Sequence, residues 1–319
     1  RSVPFGMLRF LIKRIVATIP VTCIVAVGVF LLLRLTPGDP AAIIAGDAAS
    51  PESIEKIRVA MGLSEPLPVQ FMLWARHVLV GDLGQSYYYK AQVSDLIAHR
   101  LEPTLALSLL TIVFAVLVAV PLGVVAAWRQ GGLLDRALMG FSVLGFSIPV
   151  FVLGYALIWL LSLKLGWLPV QGYRRLAEGF GPFLYHLILP AFTLSIVYIA
   201  LIARVTRASV QEVLAQDHVR TARAKGLTEP RVLLVHALSN AAVPIITVIG
   251  IGVALLIGGV VVTESVFGIP GLGRLTVDAV LARDFPTIQG VILFFSAVYV
   301  LVNLLVDISY LFFDPRIRY

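Results

Sequence analysis

Six apolar runs of about twenty residues recur along this 319-residue chain, and no other feature limits its fold as strongly. A helix rises about 1.5 Å per residue, so about 20 apolar residues span the roughly 30 Å hydrocarbon core of a bilayer. The runs cover residues 15–33, 105–127, 138–163, 183–203, 243–262 and 291–313. They predict an all-α polytopic membrane protein with six transmembrane helices, and an even count puts both termini on one side. Composition agrees: 13% of residues are charged, about half the usual share of a soluble domain. The first run is longer than the apolar part of a signal peptide and no small-residue cleavage site follows it, so it is expected to remain as a helix. Residues 1–6 precede Met7, which opens a basic lead into that helix, and are expected to be a foreign leader.

The net charge of +7 is placed asymmetrically. With the termini inside, the inner loops and tails hold 14 of the 25 basic residues against five acids, whereas the outer side holds 11 against 12, with Asp307 left inside the last run. This is the positive-inside distribution of a multi-pass inner-membrane protein. Nucleic acid is not an expected partner, because no basic face is interleaved with stacking aromatics. Cys23 is the only cysteine and stands in an apolar run, which predicts a small packing residue. His77, His99, His186, His218 and His236 have no metal-ligand spacing, and no cofactor is expected on this chain.

Three non-spanning segments are long enough to act. Residues 34–103, outside, open with Pro37-Gly38-Asp39-Pro40, which must stop the first helix. Ser50, Pro51 and Glu52 then read as an N-cap, a first-turn proline and an acid at the positive helix end, with Gly62 as the C-terminal stop. Residues 204–242, inside, gather the polar chemistry. Asp217 to Lys225 form a short helix that Gly226 ends in a left-handed conformation, and Thr228-Glu229-Pro230 starts another. Two short helices meeting at a glycine make a rigid knob suited to a partner's groove. Residues 263–290, outside, carry Gly268, Pro270, Gly271, Gly273 and Pro286 and read as a re-entrant or capping loop.

Gly250, Ala254 and Gly258 recur at i, i+4 and i+8, a face on which another helix can approach closely or a solute can pass. Asn303 and Asp307 share one face near the end of the last run, which favours a structural hydrogen-bonded pair over a proton relay. A nucleophile elbow fails because Gly145-Phe146-Ser147-Ile148-Pro149 lacks the last glycine. A P-loop fails because Gly271-Leu272-Gly273-Arg274 is too short and has no lysine. If ATP drives this chain, another chain binds it.

At the knob, Arg220-Thr221-Ala222-Arg223-Ala224-Lys225-Gly226-Leu227, followed by His236-Ala237-Leu238 and Asn240-Ala241-Ala242-Val243-Pro244, resembles the coupling loop of ATP-binding-cassette importer permeases of the dipeptide, oligopeptide, glutathione and nickel branch. Pro37-Gly38-Asp39-Pro40, Gly81-Asp82-Leu83-Gly84 with Ser86, Leu165-Gly166-Trp167-Leu168-Pro169, Pro270-Gly271-Leu272-Gly273-Arg274 and Asp314-Pro315-Arg316-Ile317-Arg318 resemble its other signatures in order. The resemblance implies a type I importer permease fold. Residues 7–104 would supply the first helix and an extracytoplasmic segment, and residues 105–319 a five-helix permease core with the coupling loop at 204–242. It also implies a second homologous permease, two ATPase subunits carrying ATP and Mg, and an extracytoplasmic substrate-binding protein. Short peptides are the expected solute, with glutathione, an opine or a nickel chelate as alternatives. The rival outside this class is a stand-alone proton-coupled carrier, distinguished by transport that survives loss of ATP.

Overall fold

A computed structural model describes residues 3–35, 40–45, 50–60 and 62–313. The turn at 36–39 and the Asp314-Pro315-Arg316-Ile317-Arg318 signature lie outside the described residues. The helices are α1 (Val3–Leu35), α2 (Pro40–Ala45), α3 (Pro51–Ala60), α4 (Leu67–Leu79), α5 (Val93–Trp128), α6 (Leu133–Ser147), α7 (Val150–Leu157), α8 (Phe180–Leu214), α9 (Asp217–Ala224), α10 (Glu229–Arg231), α11 (Ala242–Phe267), α12 (Leu272–Leu281) and α13 (Phe285–Phe313). Two π-helical stretches, Ile158–Lys164 and Val232–Leu238, continue α7 and α10. Among the described residues no strand forms beyond one antiparallel bridge between Gln85 and Gln92.

Among the described residues four helices, α5, α8, α11 and α13, are each long and apolar enough to cross a bilayer. The third expected run is broken: α6 and the stretch beginning at α7 bend by 103°, so the pair counts as a fifth span only if taken together. Pro149 explains the break. It has no N–H to continue the ladder, and it drives Ile148 into an extended conformation (φ −94°, ψ 121°). The first run lies in α1, whose apolar part is Val16–Leu31. Cys23, on that stretch, is exposed on the single chain.

The chain divides into two compact units. One comprises residues 1–12, 101–274 and 301–319, and α8 is its axis: 67% of that helix's most apolar stretch is buried, against 33% for α5 and for α11. Small residues permit this. A β-carbon on Gly123 would lie 2.7 Å from the Ala203 carbonyl oxygen, and one on Gly259 would lie 2.8 Å from Leu194 Cδ1. The expected stripe on α11 is divided by the structure. Gly250 faces Val306, whose Cγ2 would lie 2.3 Å from an added β-carbon, while Gly258 meets nothing and is exposed. Ala254 is half-buried between them.

The other unit comprises residues 13–100 and 275–300. The α3 capping is as expected: the Ser53 N–H donates to Ser50 Oγ at 3.3 Å, and Gly62 sits at φ +66°. Phe30 meets Phe71 edge-on with ring centroids 5.2 Å apart. The 263–290 segment is mostly helical rather than a loop. Its turn residues stand at helix ends: Gly268 is the left-handed cap of α11 (φ 63°), and Pro286 lies in the first turn of α13, where no intrahelical donor is lost.

Candidate functional site

α8 runs well past its apolar stretch, so Arg204 and Arg207 extend the helix instead of opening a separate segment. Arg207 is clamped to Asp135, which is 3% exposed, through Nε on Oδ1 and through Nη2 on Oδ2 at 2.8 Å. The Gly131 N–H donates to the same carboxylate at 2.8 Å, fixing the turn between α5 and α6 against α8.

The chain then reverses into α9. Leu227 N–H donates to the Ala222 carbonyl at 3.3 Å and Gly226 N–H to the Arg223 carbonyl at 2.9 Å. With Gly226 at φ +78°, this pair of bonds is a Schellman closure, as expected from the sequence. Arg223 folds across the closure and grips Glu229 with both nitrogens, Nε at 2.8 Å and Nη2 at 3.2 Å. Both side chains are about two-fifths exposed, so the pair contributes alignment more than stability.

Beneath the closure lies a continuous apolar core. Val219 and Ala222 of α9 are buried with Val124 of α5, Val210 of α8, and Val232 and Leu233 of the π-helical stretch. Ala222, 6% exposed, therefore faces inward. The outward face is Arg220, Thr221, Ala224, Lys225 and Gly226. Arg220 lies 3.6 Å from Asp217, but both are highly exposed and the contact is worth little. The sequence-read segment thus forms one compact knob with a basic outer face and an apolar inner one.

Two further sites were not identified as such from sequence. The Glu264 carboxylate, fully buried at the end of α11, accepts the Thr104 hydroxyl at 2.6 Å and the Arg274 N–H at 3.0 Å. Leu272 N–H donates to Thr104 Oγ1 at 2.8 Å. This places a buried carboxyl group at the start of α12, where free helix N–H groups favour an acceptor. The two glycines of Gly271-Leu272-Gly273 make room: added β-carbons would lie 2.1 and 3.0 Å from carboxylate oxygens of Glu264. In the other unit Asp284, also fully buried, accepts the Ser86 hydroxyl, the Tyr87 N–H at 3.0 Å and the Thr287 hydroxyl at 2.7 Å. That joins Ser86 of the outer signature to the start of α13. The signal for both sites was present as glycine spacing and a lone acid, but the acids had no visible partner nearby in sequence.

No group of His, Cys, Asp and Glu among the described residues is arranged to hold a metal. A sequence model of the family described as "Binding-protein-dependent transport system inner membrane component" matches residues 119–319, and that of the corresponding N-terminal part matches residues 7–108. The chain belongs to that family. This inner-membrane component is 54% identical over 97% of its length to 99% of a protein of Sinorhizobium fredii named probable peptide ABC transporter permease y4tP. It is 44% identical over 98% of its length to the whole of GsiC of Salmonella typhi, named a glutathione transport system permease. Among solved structures, an inward-facing methionine ABC transporter, MetNI, matches with a TM-score of 0.57 at 18% identity, covering 67% of this chain and 94% of that one. That likeness concerns the fold alone. The chain is thus a multi-pass ABC importer permease, a transport component.

Proposed function

We propose that this permease pairs with a second homologous permease to form a path for short peptides, driven by two ATPase subunits that bind ATP and Mg and fed by an extracytoplasmic binding protein. The observation that carries the reading is the knob: an exposed basic tip on a Schellman-closed, apolar-cored support, continuous with α8 on one side and leading into α11 on the other. Arg220, Thr221, Arg223, Ala224, Lys225 and Gly226 form its docking surface, while Ala222 holds the tip from below. ATP-driven closure of the ATPases then moves the permeases as rigid bodies. The knob and both termini face the cytoplasm, in keeping with the basic excess on that side. Gly250 serves helix packing, whereas Gly258, open and in line with the exposed Ile251, Leu255 and Val262, lies on the face left for the second permease or the solute.

The peptide reading is supported by the y4tP relative; glutathione, itself a tripeptide, is the second reading, supported by GsiC. The test is co-purification from detergent, followed by identification of the ligand retained by the binding protein. Recovery of ATPase subunits with a peptide-loaded binding protein supports the proposal. A monodisperse chain that transports alone on a proton gradient overturns it.

A further inference from the structure

An apolar groove of about 300 Å³ opens beside the knob, between the end of α5 and the segment that follows α9. Val124, Val125 and Trp128 form one wall and Pro230, Leu233 and Leu234 the other. Trp128 and Leu234 are exposed, at 42% and 58%. Arg129 holds its guanidinium 5.1 Å from the centroid of the Trp128 ring, at the end of a membrane-spanning helix. Aromatic and basic side chains in that order mark the level where hydrocarbon gives way to headgroups.

The charges around the groove have one sign. Glu229 is the only acid on its lining, and Arg223 engages both oxygens of that carboxylate. Arg129, exposed, has no carboxylate partner among the described residues. An apolar slot at headgroup depth, with an unneutralised guanidinium beside its Trp128 wall, is complementary to one molecule type: a fatty acyl chain bearing an anionic headgroup. Basic pockets between spanning helices bind anionic lipid headgroups on this physical basis.

We infer that this groove is a binding site for an anionic phospholipid, with one acyl chain between Trp128 and Leu234 and the phosphate beside Arg129. The site belongs to the coupling machinery by contact. Its wall includes Glu229, which is tied to Arg223 of α9, and Leu233, which is in the knob's core. An occupied groove therefore braces the knob from its membrane side. This consequence rests on the coupling role proposed above, whereas the binding itself does not.

The experiment uses the full-length chain in nanodiscs with phosphatidylglycerol that carries a photoreactive diazirine on one acyl chain, mapped by peptide mass spectrometry. Label should fall on residues 120–128 and 229–238 and be displaced by unlabelled phosphatidylglycerol but poorly by phosphatidylcholine. Arg129→Gln should lower labelling about fivefold, the worth of one basic side chain at an anionic surface. Leu234→Trp changes an exposed position and should close the groove to label while leaving the thermal melt unchanged. Labelling indifferent to both substitutions, or displaced equally by the two lipids, overturns the site. So does an assembled importer in which the groove takes no label and cross-links instead to the second permease.

Discussion

Replacing Gly226 tests the knob through backbone torsion alone. A β-carbon there meets no atom within 4 Å, so the substitution creates no clash with a neighbour; what it meets is its own backbone at φ +78°. Left-handed conformations cost non-glycine residues about 1–3 kcal/mol, with β-branched residues at the high end and asparagine at the low end. Gly226→Val should therefore cost about 3 kcal/mol and Gly226→Asn about 1 kcal/mol. At about 1.4 kcal/mol per factor of ten, the valine variant disfavours the closed tip roughly a hundredfold and the asparagine variant about fivefold. Opening it separates Leu227 N–H from the Ala222 carbonyl and moves Lys225 and Ala224 relative to α9. The core under Ala222 and the Glu264 and Asp284 sites are left as they were. The assay is the reconstituted importer: equal assembly is confirmed first, then solute-stimulated ATP hydrolysis is compared with uptake. Both should fall together in Gly226→Val, with Gly226→Asn near wild type. Normal coupling in the valine variant, or equal loss in both, would refute the torsional argument.

Gly271→Ala should push the Glu264 carboxyl group off Thr104 and the Arg274 N–H; at about 0.5–1.5 kcal/mol for each hydrogen bond, the melt in detergent should drop below that of a Gly258→Ala control, which meets nothing. Asp82 is held below its ordinary carboxylate range by the Gly84 N–H and then by His77, 2.9 Å away. A pKa lowered by folding gives stabilisation that is complete above the unfolded value of about 3.8 and is lost as pH falls through the folded one, so exchange protection of the Gly84 amide should decline only below pH 4. Cysteine labelling of intact cells, in a Cys23→Ser background, should reach Glu55→Cys and miss Thr228→Cys; the reverse pattern would invert the topology and place the knob away from the ATPases.

What the sequence made legible is what local rules determine. Hydropathy alone located four of the six expected spans, α5, α8, α11 and α13, because a helix in hydrocarbon satisfies its own backbone and needs only apolar length. The capping of α3 and the left-handed Gly226 were readable because each depends on neighbours within a few residues. The kink at Ile148-Pro149 was readable in principle, but the unbroken apolar run masked it. Ala222 illustrates the limit: its place in a motif suggests contact with a partner, and only the packing of α9 on α8 and α5 turns it inward. Asp284 and Ser86 are 198 positions apart, and Glu264 and Thr104 are 160 apart. No periodicity reports such pairs. The glycines that make space for Glu264 were visible, but as turn formers rather than as room for a carboxylate.

Four acids, seen together, explain how so sparsely charged a chain holds its helix ends. Asp135 fastens the turn after α5 to α8, Glu229 fastens α9 to the start of α10, Glu264 fastens the start of α12 to α11 and to α5, and Asp284 fastens residues 86–87 to the start of α13. Each receives at least two donated hydrogen bonds and stands where one helix gives way to the next or to a turn. A proton relay needs ionisable groups that exchange partners along a path across the membrane; acids fixed at helix junctions do the opposite work. They make the helix ends move with the helices they terminate. In the coupling role proposed above, a push on Lys225 and Arg220 passes through the α9 core into α8 and, by the covalent continuation through residues 232–242, into α11. Both of those helices share the buried cluster around Leu194, Tyr198 and Leu256, so the displacement reaches the middle of the bundle as a movement of whole helices. That is the mechanical requirement of the coupling proposed for this permease.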